Sequence, residues 1–202
     1  MGRPAPTILP AAWWTVVALA FGAWAIGPAF AQSERLERFF GSYVGVAEVE
    51  NKATGETRAR DMDIVIEPHG EDGFRIHWVN VSLVDGRRDL PGVERRVQTV
   101  MFEPAGDGQL YLEKQEGSLF QEREQMRPMQ GDPVRWAALA DGTLHVYSFV
   151  VLPDGRYELQ IYDRILTDEG IDIKFQRIVD GEVMREITGR TVRADIDTGD
   201  EE

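Results

Sequence analysis

The sequence contains no cysteine among its 202 residues. That absence excludes disulfide bonds, thiol catalysis and cysteine-ligated metals, so packing alone must stabilise the fold. Histidine is scarce as well: the chain has His69, His77 and His145, and no two of them have the spacing of zinc ligands. We therefore predict no metal site and no cofactor.

Basic residues are outnumbered by acidic ones. The chain has 22 Lys and Arg against 35 Asp and Glu, which gives a net charge of −13 at pH 7. A protein with this charge is repelled by nucleic acid and by anionic membrane surfaces. We therefore expect neither nucleic acid nor a membrane as a partner of the mature chain.

The one long hydrophobic run lies at the N-terminus. Arg3 precedes an apolar stretch, and the tripeptide AFA, ending at Ala31, supplies the small residues of a cleavage site. This pattern predicts a signal peptide over residues 1–31, cleaved after Ala31, and hence a periplasmic or secreted protein. The alternative is an N-terminal membrane anchor, because the run has about the length of a spanning helix.

The following domain, residues 32–194, is predicted to consist almost entirely of strands and turns. In one stretch Ile76 and Trp78 alternate with Arg75 and His77, which is the two-residue period of a strand with one buried face. Asp-Gly separates many of the stretches, and loops this short join antiparallel neighbours. The predicted strands are 42–50, 58–67, 73–83, 93–103, 109–115, 134–140, 143–152, 156–166, 171–179 and 182–193.

Strands joined in this way predict an all-β fold, an antiparallel up-and-down barrel of about ten strands, because a long meander curls until its edges meet. The alternative is a β-sandwich, which generally needs longer Greek-key connections. A short helix is predicted at 33–40 and an acidic, disordered tail at 195–202. Residues 116–133, rich in Gln, Glu and Met, are predicted to form a surface loop with a helical turn, or a lid.

This order of elements resembles the calycins, the superfamily of lipocalins and fatty-acid-binding proteins, over about residues 33–193. Lipocalins carry Gly-x-Trp at the entry to the barrel, where this chain has Gly41-Ser42-Tyr43. They also stack an arginine of the last strand on that ring, a role open here to Arg190 or Arg193. The strand number resembles the fatty-acid-binding branch, without its inserted helical pair, and the haem-binding barrels of the nitrobindin type. The resemblance implies a barrel that binds a small ligand.

The last hairpins predict which side chains face inward. Three-residue loops in LPDGRY and VDGEV would pair Val151 with Tyr157 and Arg177 with Val183. The more apolar face of these strands is then expected to be the inner one. That face carries Leu159, Ile161, Ile173, Phe175 and Ile187.

Asp163, Arg177 and Arg185 share this predicted inner face. Burying an unpaired ion costs several kcal/mol, so charges on an apolar wall need partners. One interpretation is that Asp163 and Arg185 neutralise each other inside a filled barrel. The other is that one arginine is left over and binds the carboxylate or phosphate of a ligand through two parallel hydrogen bonds.

His145 is predicted to lie opposite Asp163, with Tyr147 two residues further on. A His-Asp contact is part of many catalytic sites, but no Ser or Cys nucleophile has a recognisable place beside it. A structural histidine is therefore the favoured interpretation. A haem would need an axial histidine inside the barrel, and His145 is the candidate for that role.

Aromatic residues allow two interpretations of the barrel interior. Trp78, Trp136 and Phe175 form either part of the core or the wall of a ligand cavity, since such cavities are mostly apolar.

Strand 143–152 is apolar on both faces. Its outer face is therefore expected to be covered, either by residues 116–133 or by a second subunit in a homodimer.

Three functions remain open from the sequence. The first is an exported carrier or sensor for a small apolar ligand, with or without an acidic group. The second is a structural or interaction barrel of the cell envelope without a ligand, and the third is an enzyme that uses His145, Asp163 and Tyr147 as acid and base. The candidate ligand-binding residues are Arg177, Arg185, Asp163, Trp78, Trp136, Phe175, His145 and Tyr147.

Overall fold

A computed structural model describes residues 36–106, 110–114 and 127–194. Ten strands form one closed sheet in which every neighbouring pair is antiparallel and the last strand pairs with the first. The predicted up-and-down barrel is confirmed, and a β-sandwich is excluded. The strands are β1 Gly41–Asn51, β2 Glu56–His69, β3 Gly73–Ser82, β4 Glu94–Ala105, β5 Leu110–Glu113, β6 Val134–Ala140, β7 Thr143–Val151, β8 Tyr157–Leu166, β9 Gly170–Val179 and β10 Glu182–Ala194.

The chain enters the barrel through a short helical turn. Leu36 and Phe39 of this turn are buried, at 3% and 1% exposure. The first residues of the helix predicted at 33–40 lie outside the described part of the chain, as do the predicted signal peptide and acidic tail. Among the described residues, no helical segment has the length and apolar character needed to cross a bilayer.

The half of the barrel next to this turn is filled with aromatic rings. Phe39, Tyr43, Phe74 and Phe102 are each at most 1% exposed. The Phe74 ring stacks on Phe102 at 4.9 Å between centroids and meets the ring of Tyr111 edge-on at 5.1 Å. These side chains come from the N-terminal turn and from four different strands, so their packing joins opposite walls and closes this end of the barrel.

Tyr43 at the barrel entry is held by an arginine of the last strand. The Arg193 guanidinium lies 5.1 Å from the centre of the Tyr43 ring and donates hydrogen bonds to the carbonyls of Phe40 at 2.7 Å and Arg38 at 3.0 Å. The stacking arginine predicted from the calycin resemblance is therefore found at Arg193. Arg190, the other candidate, faces Asp172 at 3.5 Å instead.

The hairpin loops follow the turn chemistry of Asp-Gly. The β7–β8 loop pairs Val151 with Tyr157, as predicted, with Gly155 at φ 83°. The β9–β10 loop differs from the prediction: Asp180 and Gly181 both have positive φ, 51° and 86°, and form a two-residue turn. The left-handed conformation at both positions selects this tighter turn.

A bulge after that turn changes the predicted register of the last hairpin. Arg177 pairs with Arg185, not with Val183, because the ladder shifts between Val183 and Arg185. The displacement is two residues, so Arg177 and Arg185 still share one face. Their predicted inward direction therefore holds, although the predicted pairing was wrong.

The predicted face of β8 is also wrong. The odd-numbered residues of β8, including Ile161 and Asp163, lie on the outer surface of the barrel. Tyr162 pairs with Phe175 across β8 and β9, and both rings lie inside, 4.6 Å apart. Both faces of β8 carry apolar and polar side chains, so the number of apolar residues on each face was not enough to predict which face is the inner one. The inner face carries Glu158, Gln160, Tyr162 and Arg164.

Candidate ligand-binding cavity

The half of the barrel opposite the packed aromatic rings of Tyr43, Phe74 and Phe102 is hollow. It encloses a cavity of about 720 Å³ that lies toward the β1–β2, β3–β4, β7–β8 and β9–β10 connections. This volume is within the range of about 300–1,000 Å³ that small-molecule sites occupy. The apolar part of the wall consists of Met62, Ile64, Trp78, Ile173, Phe175 and Ile187.

The polar part of the wall is dominated by arginine. Six arginine residues line the cavity of a protein whose net charge is −13, although the side chain of Arg96 is largely exposed. Like charges gathered in a low-dielectric space repel one another and attract anions. The arginines that line the cavity are Arg60, Arg95, Arg96, Arg164, Arg177 and Arg185.

Arg164 is the most buried of these arginines. It is 4% exposed, and its Nε and Nη1 atoms have no hydrogen-bond partner within the described residues. Its guanidinium lies 5.8 Å from the ring centre of Trp78 and 5.9 Å from that of Tyr162. Burial lowers the pKa of Arg164 from its usual value to about 10, and the electrostatic influence of Tyr162 and Asp163 partly opposes this. The side chain is a buried cation that forms no ion pair with a carboxylate of the described residues, so it favours an anion.

A second arginine, Arg177, is neutralised by the chain itself. Glu158, 6% exposed, accepts hydrogen bonds from Arg177 Nε at 2.9 Å and Nη2 at 2.6 Å. Gln160 donates to the same carboxylate, and the Tyr162 hydroxyl donates to Gln160 Oε1 at 2.7 Å. Burial raises the pKa of Glu158, but the hydrogen bonds from Arg177 and Gln160 outweigh it and lower the pKa overall. Glu158 is therefore ionised, and this pair forms a fixed polar wall.

A third group of arginines lies nearer the ends of the strands. Burial lowers the pKa of Arg60, and the nearby charges of Arg185 and Arg96 lower it further. The Nε of Arg60 is buried without a hydrogen-bond partner in the described residues. Arg96 is at the surface and contacts Glu94 at 3.3 Å, but no carboxylate of the described chain forms an ion pair with Arg60 or Arg185. Arg60 and Arg185 repel each other and form no ion pair with a carboxylate of the described residues, so together they form a second position that favours an anion.

Four of the predicted site residues lie in this cavity. Arg177, Arg185, Trp78 and Phe175 contribute to its wall. Within the described residues Arg177 forms an ion pair with Glu158 and Arg185 forms none, although the charge of Arg185 also lowers the pKa of Glu158. The sequence-based interpretation that one arginine is left over for a ligand stays a prediction.

The other four predicted site residues lie on the outer surface of the barrel. Asp163 does not neutralise Arg185; its carboxylate is 2.7 Å from His145 Nδ1, the partner expected from the strand pairing. The ring of Tyr147 stacks on that of Trp136 at 5.1 Å and lies 6.1 Å from that of His145. These residues face outward because Leu144 and Val146, 0% and 3% exposed, occupy the inner face of β7.

This outer cluster offers little for catalysis or for a cofactor. Burial, with a contribution from the Asp163 charge, raises the pKa of Tyr147 above its usual value and keeps its phenol protonated at neutral pH. His145 points away from the cavity, so it is not placed to ligate a haem inside the barrel. Within the described residues, no group of His, Asp and Glu side chains is arranged to hold a metal ion.

The outer face of β7 is partly covered. A short 3₁₀ turn, Pro128–Gln130, packs against β7 and belongs to the segment predicted as a loop or lid at 116–133. Residues 115–126 lie outside the described part of the chain. Tyr157 on the neighbouring strand β8 is 40% exposed and Leu112 on β5, two strands away on the other side, is 49% exposed, so apolar side chains remain exposed on this side of the barrel.

The structure adds three residues that the sequence did not reveal: Arg164, Glu158 and Arg60. In β2, Arg60 continues the alternation of Met62 and Ile64, so it could have been assigned to the inner face. Arg164 and Glu158 lie on the face of β8 that looked like the solvent side. The assumption that charges point outward fails where a barrel is hollow.

Comparisons with known proteins find one similar solved structure and no matching family. No protein-family model matches the chain. No curated protein matches it. Among solved structures, the S-type phycobiliprotein lyase CPES from Guillardia theta matches at 11% identity, over 84% of this chain and 98% of that one, with a TM-score of 0.35. At that TM-score the likeness says nothing of ligand or activity, so the chain is described by its own closed antiparallel barrel and the cavity inside it.

Proposed function

We propose that this protein is an exported carrier or sensor that binds one small amphipathic acid inside its barrel. The observation that carries the proposal is Arg164, a guanidinium in the wall of a cavity of about 720 Å³, two of whose buried nitrogens have no hydrogen-bond partner among the described residues. A carboxylate, sulfonate or phosphate group in the cavity pairs with this guanidinium. The apolar body of the ligand packs against Trp78 and Phe175.

The cavity also argues against a barrel with a purely structural role. A structural barrel gains stability from a filled interior, and each empty region loses dispersion contacts. The aromatic half of this barrel is packed in that way. The hollow half instead keeps buried charges, which cost free energy unless a ligand pairs with them. A barrel that is packed at one end and hollow at the other supports a role in ligand binding.

A pair of fluorescent probes tests the proposal. 8-Anilinonaphthalene-1-sulfonate carries one anionic group, and N-phenyl-1-naphthylamine is the same molecule without it. We expect Arg164→Met to weaken binding of the sulfonate by about 10- to 100-fold, the range for a lost charged hydrogen bond, and to change binding of the neutral amine less than threefold. Equal loss for both probes, or no loss for either, would contradict an anion site at Arg164.

A matched control separates the cavity from general electrostatics. Arg190 lies on β10 with its side chain 77% exposed and facing Asp172 on the outer surface. Arg190→Met removes the same charge from the protein as Arg164→Met does. We expect it to leave the affinity for the sulfonate within twofold of the wild type.

Export is the second part of the proposal and is supported by the N-terminal sequence alone. We expect the mature protein, recovered from the periplasm or the medium, to begin at Gln32. N-terminal sequencing checks this expectation, and a mature chain that retains residues 1–31 would contradict it.

A further inference from the structure

We propose that the ligand is an elongated dianion: one acidic group binds Arg164 deep in the cavity, and a second binds Arg60 and Arg185 near the open end. This inference rests on the proposed function and names the class of molecule. It predicts a dicarboxylate, or a molecule with two equivalent acidic groups, with an apolar and ring-containing body between them.

The first argument is that the two cationic positions are separate. Arg164 pairs with Ile173 across β8 and β9, whereas Arg185 pairs with Arg177, four residues further along β9. Four residues of a strand span about 13 Å. The charge of Arg185 also acts on Arg60, whereas the groups that act electrostatically on Arg164 are Tyr162 and Asp163, so Arg60 and Arg185 form a separate position for a second acidic group.

The second argument concerns what lies between them. Met62, Phe175 and Ile187 are apolar residues of the cavity wall that occupy intermediate positions on β2, β9 and β10. The rings of Tyr162 and Phe175 lie against each other at 4.6 Å. Polar groups in the middle of a ligand would lose their hydration against these apolar side chains without gaining hydrogen bonds, so the middle of the ligand is apolar.

The third argument is a balance of charge. Arg177 is neutralised by Glu158, and Arg96 is at the surface beside Glu94. Arg164, Arg60 and Arg185 form no ion pair with any carboxylate in the described residues. A monoanion at Arg164 would leave Arg60, whose pKa is lowered first by burial and then by the nearby charge of Arg185, without an anion. A dianion satisfies both positions.

Two rigid acids of the same body test the inference by isothermal calorimetry: biphenyl-4-carboxylate and biphenyl-4,4′-dicarboxylate. We expect the diacid to bind the wild-type protein at least tenfold more tightly than the monoacid. In Arg185→Met the diacid should fall to the affinity of the monoacid, while the monoacid itself changes less than threefold. In Arg164→Met both acids should lose affinity.

The outcomes that overturn the inference are distinct from those that overturn the proposed function. Equal wild-type affinities for the two acids, or no binding of either, exclude a second anion position of this spacing. A similar loss of both acids in Arg185→Met would show that a single acidic group binds near the open end. The sulfonate and neutral probes test Arg164 independently, so the proposed function survives or fails on its own result.

Discussion

Replacing Arg164 with methionine is expected to stabilise the ligand-free barrel even though it weakens anion binding. The lowering of the Arg164 pKa to about 10 means that the folded protein disfavours the charged form. At about 1.4 kcal/mol for each tenfold change, the cost is about 3 kcal/mol. Because the folded pKa is below the unfolded one, the whole cost is present below pH 10 and declines as the pH rises toward the usual pKa of an arginine.

Methionine removes this cost and keeps an unbranched apolar side chain in the wall. The variant loses the cation–π contacts with Trp78 and Tyr162, which together contribute about 1–2 kcal/mol. The free energy of unfolding should therefore rise by about 1–2 kcal/mol, which raises Tm by about 5 °C for a domain of this size. Urea unfolding monitored by tryptophan fluorescence, in protein freed of bound ligand, measures the change.

Arg177→Met is the matched control with the opposite expected sign. It leaves the carboxylate of Glu158, with 8% of its side chain exposed, without the cation that donates two hydrogen bonds to it. The expected loss of stability is about 2–3 kcal/mol. If Arg164→Met destabilises the ligand-free protein as Arg177→Met does, then Arg164 has a structural partner and the reasoning about an unpaired cation is refuted.

Three further predictions concern residues outside the cavity. Arg193→Met should lower the free energy of unfolding by about 2–3 kcal/mol, because it removes hydrogen bonds to two carbonyls and the stacking on the Tyr43 ring. As a control, Arg190→Met should lower it by less than about 0.5 kcal/mol in the same urea titration. Equal effects of the two substitutions would contradict the assigned role of Arg193. His145→Ala should leave the affinity for the sulfonate probe within twofold of the wild type. A larger loss would show that the His145–Asp163 pair contributes to ligand binding. If strand β7 mediates a homodimer, light scattering should give twice the monomer mass, and Trp136→Glu should halve it; a monomeric wild-type protein would reject the dimer.

The architecture was predictable because local signals determine it. Asp-Gly turns with positive φ, as at Asp180 and Gly181, force adjacent strands to pair antiparallel, and a closed meander follows. The stack of an arginine on Tyr43 was expected from the calycin resemblance, which left Arg190 and Arg193 open, and the structure places Arg193 there. The turn signals behind the predicted architecture act within a few residues.

The polar lining of the cavity was not predictable because it depends on where the barrel is hollow. Alternation assigns the two faces of β8 but gives no sign of which face is inner when Ile161 lies on one and Tyr162 on the other. The bulge beside Val183 compensated for the misread β9–β10 turn, so Arg185 still faces inward. The site combines residues from six strands, and only their tertiary arrangement shows that Arg164 has no ion-pair partner within the described part of the chain.

A crystal structure of the protein purified without denaturation from its source cells tests the central claim most directly. We predict an acidic group of a bound small molecule at about 3 Å from the guanidinium of Arg164, with the body of that molecule against Trp78 and Phe175. A carboxylate of the chain itself on Arg164, together with side chains that fill the cavity, would contradict the account.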